Sequence, residues 1–237
     1  MNKVFISFLY LCLISLSTLS VAGKSLIIDV NDLKNQDLTS MPPLLIGENG
    51  TSKVSETIFT NEKITLEQPI AESEPRKRLK IIVNSYISKS KEILDSIKDG
   101  SFIISDISKK NELLVDLRGN YNFLRRSIEF IDSDTTFPKY NFHATKFKGN
   151  TLVITKTYKY GDELDISLVM SNPENLVNNK LKLTGGIKRA SVENIRSIAR
   201  DVVTNEPSMK LLSAYVVSPT LESNYRRFGF TEELCNE

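Results

Sequence analysis

The chain has 237 residues, with 31 Lys and Arg against 29 Asp and Glu, one His, two Cys and no Trp. A net charge of +2 lacks the strong basic surplus of a dedicated nucleic-acid binder, so no nucleic-acid partner is expected. The single His143 excludes His-based triads and multi-histidine metal sites, and the cysteines are too few for a thiolate site, so no metal is expected.

Met1, Asn2 and Lys3 lead into an apolar run from Val4 to Leu19, followed by Ser20-Val21-Ala22 with small residues where a signal peptidase reads. This predicts a signal peptide over 1–22, cut after Ala22. The mature protein is then secreted or periplasmic, without a membrane span. Only Cys235 remains after cleavage, so no disulfide forms within the chain.

Residues 23–75 read as a flexible arm or linker. Ser25 to Val30 suits a short strand. Beyond it, Met41-Pro42-Pro43, Gly47-Glu48-Asn49-Gly50 and Pro69 to Pro75 punctuate the chain without periodicity. Asn49-Gly50-Thr51 is a glycosylation sequon.

Residues 76–237 read as a single mixed α/β domain. Arg76 to Lys98 suits a helix with Ile82, Tyr86, Ile93 and Ile97 near one face. Gly100 ends it, and Ser101 to Ser105 suits a strand. Lys110 to Ile131 suits a second helix with a weak middle at Gly119. Tyr140 to Met170 suits an antiparallel meander that turns at Lys148-Gly149-Asn150 and at Tyr160-Gly161-Asp162. Its last strand alternates, which puts Leu164, Ile166, Leu168 and Met170 on one face. His143 lies in the first strand, as a packed or edge residue rather than a base.

Ser171 to Asn179 reads as a polar loop and Leu181 to Leu183 as a short strand. Thr184 to Ala190 then leads into a helix capped by Ser191, with Val192, Ile195, Ile198, Ala199 and Val202 on its apolar face. Lys210 to Val217 reads as a buried strand. Ser218 and Pro219 open a short helix, Leu221, Tyr225 and Phe228 share one face of it, and Gly229 stops it.

Tyr225-Arg226-Arg227-Phe228-Gly229-Phe230, on a helix that follows a strand, resembles the end of the GNAT (Gcn5-related N-acetyltransferase) superfamily. The resemblance covers about residues 185–230. It implies an antiparallel-rich mixed sheet flanked by helices. It also implies that Tyr225 protonates the departing thiolate of coenzyme A. The loop before the Ser191 helix stands where the family binds the coenzyme's pyrophosphate, so Gly185, Gly186, Lys188, Arg189 and Ser191 are the implied cofactor residues. Free N–H groups and the positive end of a helix attract phosphate. The chain ends soon after Phe230, which leaves little room for the family's final two strands.

Two readings follow. One is an exported, non-catalytic domain that binds a protein partner. The other is a secreted effector-type enzyme that transfers an acyl group from a coenzyme A thioester to an amine.

Overall fold

A computed structural model describes residues 24–66, 73–132, 140–216 and 219–232, the side chains of 219–221 excepted. The expected signal peptide, the Ser218 cap, the side chain of Leu221 and Cys235 lie outside the described residues. Among the described residues, no helix is long and apolar enough to cross a membrane.

In chain order the elements are β1 (Lys24–Asp29), α1 (Val30–Lys34), β2 (Leu44–Ile46), β3 (Ser52–Val54) and β4 (Thr60–Thr65). Helices α2 (Glu74–Asp99) and α3 (Ile107–Asp132) follow, then β5 (Tyr140–Phe147), β6 (Asn150–Tyr160) and β7 (Glu163–Ser171). The chain continues as α4 (Pro173–Leu181), β8 (Ile187–Lys188), α5 (Ala190–Asn205), β9 (Leu211–Val216), α6 (Pro219–Arg227) and β10 (Thr231–Glu232). A seven-stranded sheet has the order β10-β1-β9-β7-β6-β5-β4, and a three-stranded sheet the order β3-β2-β8. Among the described residues, only β7 and β9 pair in parallel, so the architecture is the expected antiparallel-rich mixed sheet with flanking helices.

The stretch expected as an arm is instead built into both sheets. Leu26 and Ile28 of β1 alternate into the core, and β1 lies between β9 and β10, antiparallel to both. The sheet thus continues beyond β9 through β1 and then β10. β4 forms the opposite edge, paired with β5. Strands from before residue 75 thus pair with strands from after it. Local composition hid this because the partners of these strands lie far along the chain.

Three other expectations change. Ser101 to Ser105 is the connection between α2 and α3, not a strand, and Gly119 lies unbroken within α3. Pro173–Leu181 is a helix where a loop and a strand were expected. Asn172 accepts from the Asn175 N–H and Pro173 occupies the first turn, so the residues read as punctuation are a helix start. Leu164, Ile166, Leu168 and Met170 do not share a face. The first two join the core of α5 and α6; the last two join the core under α2 and α3.

The cause is a bulge. β6 pairs Lys156 with Leu168 but Thr157 with Ile166, so Ser167 is an extra residue that reverses the alternation. One strand thereby feeds two cores. Parallel crossovers are right-handed, which places α5 and α6 on the same face, and their buried residues share one cluster. Full burial of Ile195, Ile198 or Val202 stabilises that face by roughly 2 kcal/mol each.

Candidate functional site

The glycine loop before α5 is folded onto the protein itself. The Gly185 N–H donates to the Ile46 carbonyl at 2.9 Å, and the Gly186 carbonyl accepts from Ile46 N–H at 2.8 Å. The Gly186 N–H goes to the Leu183 carbonyl at 3.2 Å, and the Ile187 N–H to Asn175 Oδ1 at 2.8 Å. Lys188 Nζ donates to Ser52 Oγ at 3.0 Å, and Arg189 to the Pro42 carbonyl at 3.2 Å. Ser191 does not cap the helix. The cap position is Arg189, left-handed at φ 74° and without a side-chain cap bond. Among the described residues, the N–H groups of Ala190, Ser191 and Val192 have no internal acceptor, as is normal for a first helical turn.

The two glycines have distinct tasks. Gly185 sits at φ 87°, where a side chain is strained. Gly186 has ordinary backbone angles, but a Cβ there would lie 2.8 Å from Ile46 Cδ1 and 3.0 Å from Asn179 Oδ1. Its missing side chain makes room for the protein's own packing, not for a ligand. Gly186→Ala is therefore expected to cost about 1–3 kcal/mol, the scale of overpacking. Urea unfolding checks this; an unchanged midpoint would show that the loop has slack.

Tyr225 is 1 % exposed and meets the Phe230 ring edge-on at 5.1 Å. No described residue takes its hydroxyl. Burial pushes its phenol well above the ordinary range, and the Asp165 carboxylate pushes the same way. A group so held stays protonated at neutral pH but gives up its proton reluctantly.

The structure brings a carboxylate to the point where β7 and β9 part. Their parallel pairing runs from Glu163↔Leu211 to Ile166↔Ala214, although β7 continues to Ser171 and β9 to Val216. The bulge residue Ser167 donates to Asp165 Oδ2 at 2.7 Å, and Ser213 to Asp165 Oδ1 at 3.3 Å. Sequence reasoning missed these three residues, because only the bulge and the strand register bring them together.

No protein-family model matches the chain, and no curated protein matches it. Two solved structures show distant likeness. One is a functionally unknown conserved protein from Staphylococcus epidermidis ATCC 12228, at 8 % identity and TM-score 0.38, over 89 % of this chain and 57 % of that one. The other is a tandem GNAT protein from the clavulanic acid biosynthesis pathway, solved without AcCoA. It is 10 % identical at TM-score 0.43, over 89 % of this chain and 50 % of that one. The chain thus spans about half the length of these structures. Likeness this distant assigns neither activity nor ligand.

A polar cluster under α5 was also missed. Glu193, fully buried, accepts from Arg200 at 2.6 Å, from Asn61 Nδ2 at 2.9 Å and from the Met41 N–H at 2.8 Å. Asn61 accepts from Thr145, which in turn accepts from Asn194 at 3.0 Å. Asn194 also reaches the His143 carbonyl at 3.0 Å, and His143 Nε2 lies 3.1 Å from Thr157 Oγ1. Arg196 and Arg200 bind the carbonyls of Thr39 and Leu38. The chain from Leu38 to Met41 is thus strapped across α5. Burial pushes His143 down to about 4, so it is a neutral packed residue and not a base poised near pH 7.

Proposed function

We propose that this chain is an exported domain that binds a protein partner on its mixed α/β scaffold and turns over no coenzyme A thioester. The observation that carries this reading is the use of the Gly185, Gly186 and Ile187 N–H groups by internal acceptors. A pyrophosphate would need those donors, and breaking three internal hydrogen bonds to supply them is costly. Lys188 and Arg189 are likewise directed at Ser52 and Pro42. Export follows from the expected cleavage after Ala22.

One observation favours the second reading, an N-acetyltransferase using a coenzyme A thioester. The parallel pairing of β7 and β9 stops short, and the first N–H groups of α5 lack internal acceptors. On that reading Ala190, Ser191 and Val192 would hold phosphate through their backbone, and Tyr225 would donate the proton to the thiolate.

Calorimetry with coenzyme A separates the two. The partner-binding reading expects no saturable heat at millimolar coenzyme; binding tighter than that overturns it. Tyr225→Phe supplies a second measurement. A packing role leaves stability within about 1 kcal/mol and no turnover to lose. A general-acid role lowers acyl transfer to a panel of amines by roughly a hundredfold with coenzyme affinity unchanged.

A further inference from the structure

A groove runs along a single face of α2 and reaches the glycine loop at Gly185 and Ile187. Ile81, Ser85, Lys89 and Ile93 recur at helical spacing along one wall, and Glu174 and Asn178 of α4 face them. Its two halves are cavities of about 580 and 430 Å³ that share Glu174 and Asn178. Beside this shared wall, Lys89 Nζ lies 3.1 Å from both Glu92 and Glu174. From Arg78 to Ser96 the wall is about 27 Å long at 1.5 Å per residue. That length holds about eight residues of extended chain.

The lining is suited to a peptide. Among the described residues, the Ser85 hydroxyl and the side-chain amides of Asn150 and Asn178 have no internal partner. Amides both donate and accept, as a peptide backbone requires. Ile81 is 69 % exposed and Leu183 41 %, one toward each end, where they offer apolar surface.

Charge adds direction. Arg78 and Lys146 share the one carboxylate of Glu62, which leaves that end of the groove with a positive excess. Lys89 stands between two carboxylates, which leaves the middle with a negative excess. Arg78 and Lys89 are about 16 Å apart along the helix, or about five residues of extended chain.

We propose that this groove binds an extended segment of a partner polypeptide, with an acidic side chain at Arg78 and Lys146 and a basic one about five residues away at Glu92 and Glu174. It rests on the partner-binding reading and names the surface that reading requires. A nucleic acid would meet the Glu92–Glu174 carboxylates, and a lipid surface would find no continuous apolar or basic face here.

The test is selection from a phage-displayed random nonapeptide library on the full mature chain, with Asn178→Tyr as counter-selection. Asn178 is half-buried on the wall of the groove and makes no side-chain bond among the described residues, so tyrosine fills the space; thermal unfolding confirms that the variant is folded. The expected result is enriched peptides carrying an acidic and a basic residue about five apart. Synthetic copies should bind at least tenfold more weakly to Asn178→Tyr. Arg78→Ala, which leaves Lys146 and Glu62 balanced, should remove the preference for the acidic residue. No enrichment over the counter-selecting variant, or peptides without that charge spacing, overturns the proposal. A micromolar dimer in sedimentation that Asn178→Tyr dissociates also overturns it, because the occupant is then a second copy. Coenzyme A binding in calorimetry would defeat the partner reading separately, whatever the library yields.

Discussion

Arg200→Ala is expected to destabilise the protein by about 3 kcal/mol, the lower end for stripping a buried charge of its partner. Glu193 is fully buried, and Arg200 is its only cationic partner among the described residues. The Asn61 and Met41 donors remain, and the arginine is itself 30 % exposed, which keeps the cost from being larger. The same substitution removes the bond to the Leu38 carbonyl, so the strap across α5 should loosen. Urea unfolding measures the loss, and limited proteolysis near Leu38 reports the loosening. The double variant Arg200→Ala with Glu193→Gln should recover part of the stability, because the uncompensated charge is gone. A double variant as unstable as the sum of the two single changes would show that the charge is not what matters.

Stability should also fall between pH 6.5 and pH 4 because of His143. Its ordinary value is 6.5; in the folded chain burial takes it to about 4, assisted by Lys63 and opposed by Asp201. Between those values the unfolded chain binds more protons than the folded one, so unfolding free energy rises with pH. The contribution is complete above pH 6.5 and is lost as the pH drops to about 4. Its size is about 3 kcal/mol, from roughly 1.4 kcal/mol per pH unit. His143→Gln keeps a polar partner for Thr157 and removes the titration, so its urea midpoint should be nearly flat over that window. Equal slopes in variant and parent would assign the acid sensitivity elsewhere. The carboxylates of Glu62 and Asp201, held low by their ion pairs against the effect of burial, lose their contributions only as the pH falls below their ordinary values of 4.5 and 3.8, so Glu62 overlaps just the acid end of this window.

The candidate site was only partly legible. The loop was located by its residue types, and Gly185, Gly186, Lys188 and Arg189 do lie just before a helix. What those groups bind was not legible, because the acceptors are Ile46, Asn175, Ser52 and Pro42 from other parts of the chain. Ser191 looked like a cap by type, yet the cap is Arg189, two residues earlier and in a left-handed conformation. Glu193 gave no signal either: a glutamate near a helix start is ordinary. Its burial depends on Asn61 and Met41 arriving from more than a hundred residues away.

The sequence by itself determined the elements whose cause is local. The β5–β6–β7 meander follows from alternation and glycine turns, the apolar stripe of α5 from helical spacing, and the stop of α2 from Gly100 in the left-handed region. Tertiary structure decided the rest. It drew β1 into the sheet between β9 and β10 and fixed the Leu38–Met41 strap by hydrogen bonds to α5. The bulge at Ser167 divided one alternating strand between two cores. Periodicity reports which residues want burial; which core they enter, and which polar groups follow them, is set by partners distant in sequence.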